Sequence, residues 1–142
     1  MDSRPSGKRL TGMRILVAED DEINRLIVEN ILQFEGASVQ FSVNGQEAVD
    51  RVHREDGDPF DIVLMDVQMP VMDGYDATRR ILGIAPGLPI IGVTAHALEA
   101  DFEKCLQAGM IGHVTKPIDA DSLIDTIRSN VLPGVWTSST VS

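Results

Sequence analysis

Short apolar runs rich in β-branched residues alternate five times with amphipathic helical segments along this chain, and no hairpin signal joins any two of the runs. That pattern leaves little choice of fold. Strands separated by crossover helices pair in parallel, the crossovers are right-handed, and helices cover both faces. The expectation is an α/β fold with a doubly wound, five-stranded parallel sheet.

The first strand is read at about residues 14–18. A helix follows to Phe34, with Ile23, Leu26, Ile27, Asn30/Ile31 and Phe34 at helical spacing and Gly36 ending it. Residues 38–42 alternate as a second strand. Asn44-Gly45 opens a helix with Ala48, Val49 and Val52 inward. Residues 60–65 form the third strand, and Gln68 to Gly74 a loop before a helix to about Leu82. Residues 88–93, ending at Thr94, form the fourth strand. Leu98, Phe102, Cys105 and Leu106 mark the fourth helix, closed by Gly109. Residues 111–115 form the fifth strand, and Asp119 caps a last helix with Leu123, Ile124, Ile127 and Val131 inward.

Residues 1–12, polar and basic with Pro5, Ser6 and Gly7, read as a flexible lead-in or linker. The domain runs from 13 to 132, and residues 133–142 read as a flexible tail from which Trp136 docks on the body. The net charge of −10 argues against nucleic acid and against direct contact with anionic membrane. The single cysteine, Cys105, permits no internal disulfide and suits a reducing cytoplasm. No apolar stretch approaches the roughly 18 residues needed to cross a bilayer.

The third strand, in Asp61-Ile62-Val63-Leu64-Met65-Asp66, is apolar on both faces and delivers one carboxylate to its carboxyl end. Ligands of open parallel sheets bind at that edge. The first strand ends there too, in Glu19-Asp20-Asp21, so several carboxylates gather in one pocket. Such a cluster calls for a cation, and hard oxygen ligands suit Mg²⁺. The fourth strand adds the Thr94 hydroxyl and the fifth the Lys116 ammonium. Together these are the parts for phosphoryl transfer, in which catalysis is mostly positioning and charge neutralisation. Asp66 is the nucleophile. Glu19 and Asp20 hold Mg²⁺ with Asp66 and the backbone carbonyl of Gln68. Lys116 and Thr94 contact phosphoryl oxygens. Asp21 is either a further acid at the metal or the cap of the first helix.

These residues stand in segments that resemble a response-regulator receiver domain: Ile15 to Asp21 (ILVAEDD), Asp61 to Gly74 (DIVLMDVQMPVMDG), Val93-Thr94-Ala95-His96-Ala97 and Val114-Thr115-Lys116-Pro117-Ile118, in that order and over roughly residues 13–131. Asp20-Asp21-Glu22-Ile23-Asn24-Arg25, Thr94-Ala95-His96-Ala97 and Ala108-Gly109-Met110 are most similar to the receivers of hybrid histidine kinases. The resemblance implies a flavodoxin-like sheet in the order 2-1-3-4-5 and a phosphohistidine donor on a histidine kinase or histidine phosphotransfer protein. It also implies a cis Lys116-Pro117 bond and a switch built from Thr94 and the ring three residues before Lys116. That ring is His113 where the family usually has Tyr or Phe. The linker-like ends suggest a receiver excised from a hybrid kinase; the downstream partner is not readable.

Three other readings compete. A haloacid-dehalogenase-type phosphatase uses the same nucleophile, but its second acid would stand at Gln68. A nucleic-acid enzyme with an Asp-x-Asp metal pair fails at the same residue. A receiver-like docking module that is not phosphorylated is the third. Among single residues, Cys105 reads as core, His53 and His96 as solvated, Met69 and Met72 as loop packing, and Asp73-Gly74 as turn and cap chemistry.

Overall fold

The computed structural model describes residues 8–54, 60–96 and 98–130. Along the chain run β1 (Arg14–Ala18), α1 (Glu22–Phe34), β2 (Ser38–Ser42), α2 (Gly45–Arg54), β3 (Ile62–Asp66), α3 (Gly74–Ile84), β4 (Ile90–Thr94), α4 (Glu99–Ala108), β5 (Gly112–Thr115) and α5 (Ala120–Asn130). All four strand pairings are parallel, and the sheet order is β2-β1-β3-β4-β5. This is the expected doubly wound arrangement. Val131, Trp136 and the tail lie outside the described residues.

Period-two alternation divides the strands between two cores. Ile15 and Val17 of β1, Ile62 and Leu64 of β3, and Ile91 and Val93 of β4 face one side, where Val28 and Leu32 of α1 and Leu123, Ile124 and Ile127 of α5 cover them. Leu16, Ala18, Val63, Met65 and Ile90 face the other, against Ala48 and Val52 of α2, Ala77 and Ile81 of α3, and Cys105 of α4. Burial on both faces explains why β3 reads as a continuous apolar run.

Local chemistry sets the helix ends as anticipated. Gly36 and Gly109 adopt φ of +92° and +106° after α1 and α4, where a side chain would be strained. Asn44 Oδ1 accepts from the Glu47 amide, and Asp119 Oδ2 from the Ser122 amide, at 2.8 and 2.9 Å. The Asp73 carboxylate accepts from the Asp76 amide, the cap chemistry read for that dipeptide. Lys116-Pro117 is cis.

One expectation is corrected. Residues 1–7 of the expected lead-in lie outside the described residues, and residues 9 and 10 are not linker. Leu10 is fully buried, its amide donates to the Glu35 carbonyl, and Arg9 forms a two-pronged ion pair with the buried Glu35 carboxylate. Arg9 reads as linker because its partner lies 26 residues away. The spacing read in α1 predicts a helix without fixing the direction of its stripe. That stripe faces outward, with Ile23 69% and Phe34 63% exposed and Leu26 and Ile27 exposed as well. Val28 and Leu32, one turn apart on another side of the helix, supply the buried face, with Ile31 packed beside them. Leu98 and Leu106 around α4 are likewise exposed, and only Cys105 of its four marker residues is buried.

Candidate functional site

The parallel register brings the ends of β1, β3, β4 and β5 to one edge. Asp66 is the last residue of β3 and is buried. Its Oδ1 accepts from the Gln68 amide at 3.0 Å, and its Oδ2 lies 2.8 Å from Lys116 Nζ. Lys116 Nζ also lies 3.2 Å from Glu19 Oε1. Glu19, just past β1, is buried, and its Oε2 accepts from the Asp21 amide. Glu19, Asp20 and Asp66 offer carboxylate oxygens that lie within 4.8 Å of one another.

Asp21 does not join them. Its Oδ1 accepts from the amides of Ile23 and Asn24 at 2.8 and 3.2 Å, which commits it to the N-terminus of α1. The open choice between metal acid and helix cap resolves to the cap. Thr94 is buried at the end of β4, and its Oγ1 donates to the His96 carbonyl at 2.9 Å. It borders a small cavity of about 80 Å³ that Gln68, Tyr75, Asp101 and Lys104 also line. The His113 ring stacks on Phe102 of α4, with centroids 3.7 Å apart and planes at 22°.

The electrostatics are those of crowded carboxylates sharing one ammonium. Burial, and then the adjacent Asp66 carboxylate, push the Glu19 carboxyl up to about 7, against the pull of the Asp21 amide and Lys116. Burial works against the Lys116 ammonium, but Asp66 and Glu19 outweigh it and its pKa is raised. The set is short of positive charge, and its donors are hard oxygens, which fits Mg²⁺. Glu19, Asp20 and Asp66 are the side chains that would hold the ion.

Two contributors escaped the sequence reading. A Cβ on Gly74 would overlap the Asp66 carbonyl oxygen, so the loop returns to β3 closely enough that only glycine fits. The Asp-Gly dipeptide signalled a turn without showing that approach. Arg25 of α1 donates from Nη1 to the Glu19 carbonyl at 2.9 Å, a tie across six residues that no local pattern announces.

Residues 15–128 match the response regulator receiver domain family. The chain belongs to that family. It is 35% identical to Histidine kinase 1 of Arabidopsis thaliana over 93% of its own length, and it spans only 14% of that protein. It is 42% identical to Two-component response regulator ORR41 of Oryza sativa subsp. japonica, over 78% of this chain and 88% of that one. Among solved structures, the receiver domain of sensor histidine kinase PA1611 from Pseudomonas aeruginosa PAO1 superposes with a TM-score of 0.76. The two are 37% identical over 84% of this chain and 97% of that one, and a magnesium ion is coordinated in the active site cleft of that protein. Two-component signalling is thus the setting of this domain, and the phosphatase and nuclease readings fall away. Among the described residues no helix is long and apolar enough to cross a membrane.

Proposed function

We propose that this receiver accepts a phosphoryl group from a phosphohistidine onto Asp66, with Mg²⁺ in the acidic pocket. One observation carries the reading: a buried strand-end carboxylate stands 2.8 Å from an ammonium and within 4.8 Å of two further carboxylates. An Asp66 oxygen attacks phosphorus, a P–O bond forms, and the P–N bond of the donor breaks with its electron pair left on the imidazole. An acyl phosphate results. Lys116, already beside Asp66, neutralises the incoming phosphoryl oxygens. Thr94 Oγ1 leaves the His96 carbonyl to donate to one of them, and His113 leaves its stack on Phe102, altering the face around α4 and β5. Mg²⁺, when bound, offsets charge on the phosphoryl oxygens.

The donor is a histidine kinase or histidine phosphotransfer protein, and its docking face is the apolar stripe Ile23, Leu26 and Ile27 of α1. Such a stripe has no role in the core, and α1 starts at the edge that carries Asp66. The parent protein is a hybrid histidine kinase working in the cytoplasm, a reading supported by the kinases among the relatives.

Intact mass after incubation with Mg²⁺ and acetyl phosphate tests this. Wild type gains one phosphoryl group and Asp66→Ala gains none. If neither gains mass while both are folded, the domain is a docking module instead.

A further inference from the structure

The turn between β1 and α1 is three residues long, Glu19 to Asp21, and carries two of the three carboxylates assigned to the metal. Its supports are few. The Glu19 amide donates to the Ser42 carbonyl at 2.9 Å, which anchors the near end to β2. Asp21 anchors the far end to α1. Asp20, between them, is exposed and makes no side-chain hydrogen bond among the described residues, so only the backbone of the turn aims its carboxylate. The pairing of β1 with β2 stops at Ala18 and Ser42, and no backbone amide among the described residues donates to the Glu19 carbonyl beyond it. Arg25 supplies a donor. Its guanidinium donates from Nη1 to that carbonyl at 2.9 Å, tying the strand end to the helix across the turn.

We propose that Arg25 is a positioning residue of the metal site, a clamp that fixes the turn so that Glu19 and Asp20 face one cation. The inference rests on the Mg²⁺ reading above. It has a sharp signature, because the guanidinium acts on a cation in two opposite ways. As a nearby positive charge it repels every divalent ion, so charge alone predicts that its removal tightens binding of all of them. As a clamp it sets geometry, and geometry matters unequally: Mg²⁺ requires a near-ideal octahedron, whereas Ca²⁺ accepts irregular coordination.

The test is calorimetric titration of Mg²⁺ and of Ca²⁺ into wild type, Arg25→Gln and Arg25→Lys, with thermal unfolding in EDTA as the check on folding. Losses of about 10-fold accompany removal of residues that orient metal ligands. Arg25→Gln is therefore expected to weaken Mg²⁺ by about 10-fold while Ca²⁺ changes by less than about 2-fold, with Arg25→Lys between wild type and Gln. Equal tightening of both ions means that Arg25 contributes only charge and overturns the clamp. So does an unchanged Mg²⁺ affinity, or an equal loss of both ions. If Arg25→Gln does not fold, Arg25→Lys carries the same comparison, since it keeps the charge and lacks the planar fork. Wild type that binds no Mg²⁺ at millimolar concentration removes the metal reading itself, a result distinct from failure of the clamp alone.

Discussion

Lys116 Nζ lies 2.8 Å from Asp66 Oδ2 across the ends of two strands that are not neighbours, since β4 runs between β3 and β5. The lysine spans β4 to reach a carboxylate that is almost wholly shielded from solvent. Lys116→Ala leaves Asp66 and Glu19 facing each other without a counter-charge. Stability in EDTA should fall by about 1–3 kcal/mol, and added Mg²⁺ should restore more of it than it adds to wild type. Urea unfolding with and without Mg²⁺ measures both numbers.

Glu19 makes the site pH-dependent. Its folded pKa of about 7 is above the ordinary glutamate value, so its contribution to metal-free stability is complete below about pH 4.5. That contribution is lost as pH rises through 7. Mg²⁺ needs the ionised form. Its affinity should therefore climb between pH 6 and pH 8, and binding at pH 6 should release a proton. Titrations in buffers of different ionisation enthalpy detect that proton directly.

The Arg9–Glu35 pair behaves in the opposite sense. Hydrogen bonding to the Arg9 guanidinium holds the Glu35 carboxyl below its ordinary value, so this pair stabilises the fold above about pH 4.5 and is lost on acidification. Arg9→Met should lower stability by about 2–4 kcal/mol at pH 7, because it strands a buried carboxylate. The deficit should shrink below pH 4.5. Equal deficits at both pH values would contradict the pairing.

Gly74→Ala pushes a methyl group into the Asp66 carbonyl. We expect a loss of about 2–4 kcal/mol. Phosphorylation by acetyl phosphate should also fail under conditions where the variant remains folded, because the displaced backbone is that of the acceptor. Mass measurement and urea unfolding on one sample separate the two effects.

Val71 has φ of +70°, with the Met72 amide donating back to the Pro70 carbonyl at 2.7 Å, a γ-turn of the strained hand centred on a β-branched residue. Its side chain is 80% exposed, so packing does not offset the strain. Val71→Asn should raise stability by about 0.5–1 kcal/mol. An unchanged or lower urea midpoint would show that the turn is not under strain.

Much of this was legible in the amino-acid order. β3 is recognisable because both of its faces are buried, and the residues at the carboxyl ends of four strands converge because parallel pairing forces them to one edge. What escaped has a common cause. The Arg9–Glu35 pair, the Arg25–Glu19 tie and the approach of Gly74 to Asp66 all depend on how the chain turns back on itself, over 26 residues in the first case and across one strand–helix connection in the others, which residue order does not print. The direction of the α1 stripe was not legible for another reason: periodicity reports an apolar face and not its direction, and this helix carries apolar residues on two.

The division of the interior into two cores gives the sheet the character of a party wall. α1 lies on one side with α5, while α4 and the Phe102–His113 stack lie on the other. If the donor docks on α1 as proposed, a molecule reading the stack at α4 would sit on the opposite face of the sheet.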